Sequence, residues 1–296
     1  ADALKSDDFA AAAKVLETAG DGINPLLGGL VSGWIEVGKG DFTAAQAKFD
    51  AMTGNDALIA YGQYHKALAL AMAGDFVSAE TILAGGENGP LHLNRAALVA
   101  HAEVLAQIDR EADAAALLTE AMANGVPDAM LAALRDRLAR GEEVPFDAVT
   151  EARDGAAEAF LTLAEALNTD DTARVALLHA RLAAYVRPDA IEADLLAASI
   201  LESEGQFVLA TAALAEVPPE SPWFVVSEIH RANSQRAAGN AAGGIATLEA
   251  LAGSHPDQIE VQSALGDALR TDNQFAAAVT AYTAAIELID KPAAVH

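Results

Sequence analysis

The 296-residue sequence contains no cysteine. That absence removes disulfide staples, thiolate metal sites and cysteine nucleophiles together, while leaving the redox compartment open. Basic residues are scarce, with 18 Lys and Arg against 43 Asp and Glu, for a formal net charge of −25. So negative a surface repels phosphate backbones and anionic headgroups, which argues against nucleic acid and membrane surfaces as partners. Its plain use is solubility or an acid-shifted proteome, and its sharper one the steering of a basic partner. Aromatic residues make up only 5% of the chain although 52% is apolar. Much of that apolar fraction is alanine, the strongest helix former, which lets helices approach closely and suits a thin stack of helices better than a thick core. Nothing reaches the 18 or so uninterrupted apolar residues of a membrane span. The nearest stretch, Ile23 to Val37, is broken by Asn24, Pro25, Gly28, Gly29 and Gly33.

Reactive constellations are missing too. The seven histidines (His65, His92, His101, His179, His230, His255 and His296) include no pair at the i, i+4 spacing of a helical metal site. Gly28 to Gly33 lacks the lysine of a P-loop and the spacing of a dinucleotide fingerprint, and its small residues suit close helix packing. The pairs Glu142-Glu143 and Asp170-Asp171 fall in turns, where a solvated surface is expected. The sequence therefore predicts no catalytic residues, no metal and no cofactor.

What the chain does have is a beat. Pro188, Pro222 and Pro256 are 34 residues apart, as are Gly205 and Gly239, and as are Phe207, Ala241 and Phe275. Phe9, Phe42 and Phe76 keep spacings of 33 and 34, the last two preceded by Gly40-Asp41 and Gly74-Asp75. A fixed period of this length signals stacked helical hairpins, each too small to bury its own apolar face. In the unit Val261 to Ile289, Leu265, Ala268 and Leu269 mark one helical stripe. A polar break at Arg270 to Gln274 follows, then a second stripe through Phe275, Ala278, Val279, Tyr282, Ala285 and Ile286. Glycines at 205 and 239 close first helices, and Pro222 and Pro256 stop second ones.

These residues resemble the tetratricopeptide repeat (TPR) family. Its small-and-large packing positions are matched by Leu265, Gly266, Ala278, Tyr282 and Ala285. Further copies match at Ala198, Gly205, Phe207 and Ala210, at Gly33, Gly40, Phe42, Ala45 and Phe49, and at Ala67, Gly74, Phe76 and Ala79, with a weaker one through Ala102, Leu105, Ala114, Leu118 and Ala121. The resemblance implies an all-α, right-handed superhelical solenoid of antiparallel helix pairs, about seven to eight repeats with one irregular break. The register slips between Phe146 and Thr172. The expected organisation is an N-terminal array over 1–140, an irregular connector or bend over 141–158 and a C-terminal array over 159–296. Gly85 to Pro90 reads as a second, softer connector. Phe9 to Thr18 reads as the second helix of a hairpin whose first is mostly missing, and no capping helix follows Ile289, so the native protein is expected to continue.

The resemblance also implies where a partner would lie, along the concave face made by the first helix of each hairpin. Carried over copy by copy, that face holds Leu30 and Trp34, then Tyr61, Tyr64 and Leu68. Later copies add Leu195 and Ser199, then Ile229, Asn233 and Arg236, then Ser263, Asp267 and Arg270. The principal groove residues are thus Leu30, Trp34, Tyr61, Tyr64, Leu68, Asn233, Arg236 and Arg270. The competing use of Trp34, Tyr61 and Tyr64 is packing between hairpins, since aromatics at helical spacing are usually core. The functional expectation is a non-catalytic scaffold that binds a peptide or protein segment, basic or amphipathic, without nucleic acid or membrane insertion. The alternative is an assembly module that forms homo-oligomers or tethers through uncapped ends. The compartment reading leans periplasmic, because exported bacterial assembly factors often carry such arrays, without excluding the cytoplasm.

Overall fold

The computed structural model describes residues 1–85, 91, 93–124 and 128–289. Residues 86–90 of the expected soft connector, together with His92 and His296, lie outside them. Among the described residues there are seventeen α-helices and no strand. In chain order these are α1 (Asp2–Lys5), α2 (Phe9–Ala19), α3 (Pro25–Gly38), α4 (Phe42–Asp50), α5 (Asp56–Met72), α6 (Phe76–Leu83), α7 (Arg95–Ala106), α8 (Glu111–Asn124) and α9 (Ala129–Ala139). There follow α10 (Ala152–Ala166), α11 (Ala173–Val186), α12 (Ile191–Ser203), α13 (Phe207–Leu214), α14 (Phe224–Ala237), α15 (Ala241–Ser254), α16 (Ile259–Thr271) and α17 (Phe275–Ile289). None is long and apolar enough to cross a membrane. The fold is all-α, built from successive antiparallel helix pairs.

The repeated Gly-Asp-Phe signature explains the hairpin turn. Gly40 and Gly74 take φ of 82° and 85°, a left-handed conformation that a Cβ would strain. The amide of Asp41 then reaches back to the carbonyl of Glu36 at 2.9 Å, closing the first helix. The Asp41 carboxylate turns forward to cap the second helix, accepting the Ala44 amide at 2.9 Å, and Asp75 does the same for Ser78. In the last hairpin Asn273, at φ 61°, stands in for the glycine. Phe9, Phe42, Phe76, Phe207 and Phe275 each open a second helix.

The chain forms two compact units, 1–167 with 182–189 and 168–181 with 190–296, the division falling inside α11. In the first unit α3–α4, α5–α6 and α7–α8 pack as consecutive pairs, and α9 packs on α8. The expected connector over 141–158 is irregular only as far as Glu151. Ala152 opens α10, where Glu151 and Asp154 form a reciprocal capping box and Asp154 also accepts the Thr150 hydroxyl at 2.7 Å. α10 then lies against α3 and α5, the first helices of their hairpins. In the second unit α12–α13, α14–α15 and α16–α17 are the pairs, stacked in sequence. Leu265, Ala268 and Leu269 of α16 share one core with Ile245 and Leu248 of α15.

Candidate functional site

The two units treat their first-helix faces in opposite ways. In the first unit that face is filled by the chain itself. Gly155 of α10 sits directly under the Trp34 indole, so close that a Cβ there would fall 2.2 Å from the ring. One turn on, Glu158 accepts a hydrogen bond from the Tyr64 hydroxyl at 3.1 Å. Thr162 then meets the ring of His65, and Glu165 accepts from Asn94, the N-cap of α7, at 2.6 Å. Spacings of three or four residues put all four positions on one face of α10. The helix thereby spans α3, α5 and the start of α7.

This arrangement corrects four of the expected groove residues. Leu30, Trp34, Tyr64 and Leu68 are buried and offer no surface to a ligand, and α10 itself covers Trp34 and Tyr64. Tyr61 is only half-buried; burial and the nearby Glu165 carboxylate push its phenol up. The aromatic residues of the N-terminal hairpins act as core. Trp34 meets Phe49 edge-on at 5.8 Å and donates its Nε1–H to His65 Nδ1 at 2.8 Å. That bond leaves the His65 proton on Nε2, which donates to Thr162 Oγ1 at 3.2 Å. Desolvation depresses His65 to a pKa of about 3, so the ring is neutral and fully partnered.

A second buried titratable group pins the segment leading into α10. Glu103 of α7 accepts the backbone amides of Asp147 and Ala148 at 3.2 and 3.1 Å. Burial, with Asp147 beside it, pushes the Glu103 carboxyl up to about 9. Its contribution to stability is therefore whole below its unfolded value of 4.5 and is lost as pH rises towards 9. His65 works the other way. Its unfolded ring takes up a proton below 6.5 that the folded ring refuses until about 3, so stability falls on acidification through that window. Each slope is about 1.4 kcal/mol per pH unit, and the two oppose each other where the windows overlap. Urea unfolding at a series of pH values is expected to show a plateau between 4.5 and 6.5, with decline on both sides. Glu103→Gln keeps an acceptor for the two amides and gives Asp147 a donor. It should remove the alkaline decline and stabilise the protein by on the order of 2 kcal/mol at pH 8. An unchanged alkaline limb would mean that Glu103 is ionised in the fold.

In the second unit the equivalent face is open. Asn233 and Arg270 are exposed and Arg236 is half-exposed, as is Ser263, while Ser199 and Asp267 reach solvent. Glu202 joins α12 to α14: it accepts from the Ser234 hydroxyl and lies 3.4 Å from His230 Nδ1. On α16, Arg270 donates to the Tyr282 hydroxyl at 3.3 Å, and that hydroxyl donates to Asp267 at 2.7 Å. An open cleft of about 370 Å³ is lined by Asn233, Arg236, Ala237, Ala241, Ala268, Thr271 and Asp272. Its shape follows from small residues. A Cβ on Gly244 would meet the Ala232 carbonyl at 2.6 Å and the Arg236 stem at 2.5 Å, so glycine lets α14 and α15 close up with the Arg236 chain laid across the seam. The guanidinium donates to Asn233 Oδ1 at 3.3 Å and forms no ion pair among the described residues. The structure thus brings Asn233 and Arg236 together in one cleft and ties Arg270 into a separate Asp267–Tyr282 network.

Among the described residues no cluster of three or more His, Asp or Glu side chains could hold a metal ion. Sequence reasoning singled out neither Thr162 nor Glu103, and it placed Gly155 within the irregular connector over 141–158, whereas Gly155 lies inside α10. A glycine inside a helical pattern that is apolar on nearly every side was the available signal for Gly155, since such helices are buried ones.

No protein-family model matches this chain, and no curated protein sequence matches it. Solved structures similar to it include a MamA chain beginning at residue 41 from Desulfovibrio magneticus RS-1, at 15% identity and a TM-score of 0.39, covering 66% of this chain and 96% of that one. Another is the TPR domain of P58(IPK), at 16% identity and a TM-score of 0.29, covering 97% of this chain and 90% of that one.

Proposed function

We propose that this chain is a non-catalytic protein-interaction scaffold, and that it receives a peptide or protein segment on the first-helix face of α12, α14 and α16. The observation that carries this reading is the contrast between the faces. One is filled by α10, whereas the other presents a polar cleft with an arginine that has no carboxylate partner among the described residues. Arg236 and Asn233 together offer donors to one acceptor group of an extended backbone or side chain. The net charge of −25 favours a segment that is otherwise basic or amphipathic.

The test is capture of partners by the parent protein beside an Asn233→Ala/Arg236→Ala variant. Both side chains reach solvent, so helicity should stay near that of the parent, while the Arg236 stem lost from the α14–α15 seam lowers melting modestly. The captured partner should bind the variant roughly tenfold more weakly, as expected for loss of one interface anchor of about 1–2 kcal/mol. Equal capture by parent and variant would remove the cleft from the function.

A further inference from the structure

Eleven of the twelve arginines lie in ion pairs, and Arg236 is the one that forms none among the described residues. It lines the cleft of the second unit, its stem held along the α14–α15 seam and its guanidinium bonded to Asn233. Asp272, the C-cap of α16, lines the same cleft. It accepts from Gln274 Nε2 at 3.0 Å and likewise forms no ion pair among the described residues. The two charges do not pair with each other, whereas Arg270 and Asp267 of α16 do, at 3.5 Å. The cleft therefore keeps one charge of each sign unmatched.

Opposed charges limit what fits. A segment bearing only acids would meet Asp272, and one bearing only bases would meet Arg236, each at the cost of a like-charge contact. A carboxylate set on Arg236 and Asn233, with a cation set on Asp272, satisfies both walls. Ala237, Ala241 and Ala268 make up much of the remaining lining, so a main chain passing over them meets no large side chain. The size agrees with an extended segment. A cube of the cleft's volume is about 7 Å on edge, and side chains i and i+2 of an extended chain project to one side roughly 7 Å apart.

We propose that the cleft selects an extended segment with two side chains of opposite charge two residues apart. The carboxylate sits on Arg236 and Asn233, and the ammonium or guanidinium sits on Asp272. This inference rests on the reading of the cleft as a binding face and names what that face selects. In so open a site each ion pair adds little affinity, and the pair of contacts acts chiefly by rejecting segments with the wrong charges.

Short peptides blocked at both ends test this, one carrying Glu-Ala-Lys and one the reverse order, Lys-Ala-Glu. Binding is followed by the NMR shifts of the Asn233, Arg236, Ala241, Thr271 and Asp272 amides. One of the two orders should bind, and replacing either of its charges by glutamine should weaken it roughly fivefold. Asp272→Lys should reverse the choice at that wall, so that Glu-Ala-Glu is preferred to both mixed peptides. Arg236→Glu should prefer Lys-Ala-Lys. Equal affinity for charged and glutamine peptides, or a preference that Asp272→Lys leaves unchanged, would overturn the inference while keeping the cleft as a binding face. Peptides that move none of these amides at millimolar concentration would remove the cleft itself, and this inference with it.

Discussion

Trp34→Ala is expected to cost about 3–5 kcal/mol, as large-to-small changes at fully buried aromatic sites do. The indole has no exposed surface, and it packs edge-on against Phe49 and His65. Removing it opens a cavity bordered by two helices that cannot close it, because α3 is held by α4 on one side and by α10 on the other. It also takes the hydrogen bond from His65 Nδ1, a fully buried acceptor. Trp34→Phe separates the two terms, retaining most of the volume while losing the bond, and should cost about 1–2 kcal/mol. Urea unfolding followed by circular dichroism measures both. Had Trp34 been a groove residue, alanine there would weaken partner capture and leave the unfolding midpoint unchanged. That outcome would refute the core assignment.

Gly155→Ala should destabilise by about 3 kcal/mol, at the upper end of overpacking penalties. A Cβ at 155 would lie 2.2 Å from Trp34 Cδ2 and Cε2, and the ring cannot retreat because Phe49 and His65 back it. The decisive measurement is a double-mutant cycle. In a Trp34→Ala background the clash is gone, and alanine in the middle of a helix is worth up to about 1 kcal/mol over glycine. The same substitution should then be neutral or stabilising. A sign reversal of this kind requires the two residues to touch, so additive effects would show that α10 does not pack on α3 through this pair.

Both predictions turn on α10, and α10 marks where the sequence stopped being readable. The hairpins were legible because their signals are local. Gly40-Asp41-Phe42 and Gly74-Asp75-Phe76 encode a left-handed residue, an N-cap and the first residue of the next helix within three positions. The 34-residue spacing of Phe207, Ala241 and Phe275 then repeats that local event. Trp34 and Tyr64 were legible as first-helix residues, and both meet α10. Their use was not. Whether a face is a groove or a core depends on what lies against it, and α10 arrives there from about 90 to 125 residues further along the chain.

Composition and period alone determined that this chain folds as consecutive helix pairs, without cysteine chemistry and with a strongly anionic surface. Capping, left-handed glycine turns and apolar periodicity act over a few residues and need no knowledge of the rest of the molecule. Tertiary structure alone decided that the aromatic face of the first unit is closed and the polar face of the second is open. The partner of a packed face is chosen by shape at contact, here a glycine that fits beneath an indole and a threonine within reach of a buried histidine. Such complementarity joins residues far apart in sequence, and it has no period to betray it.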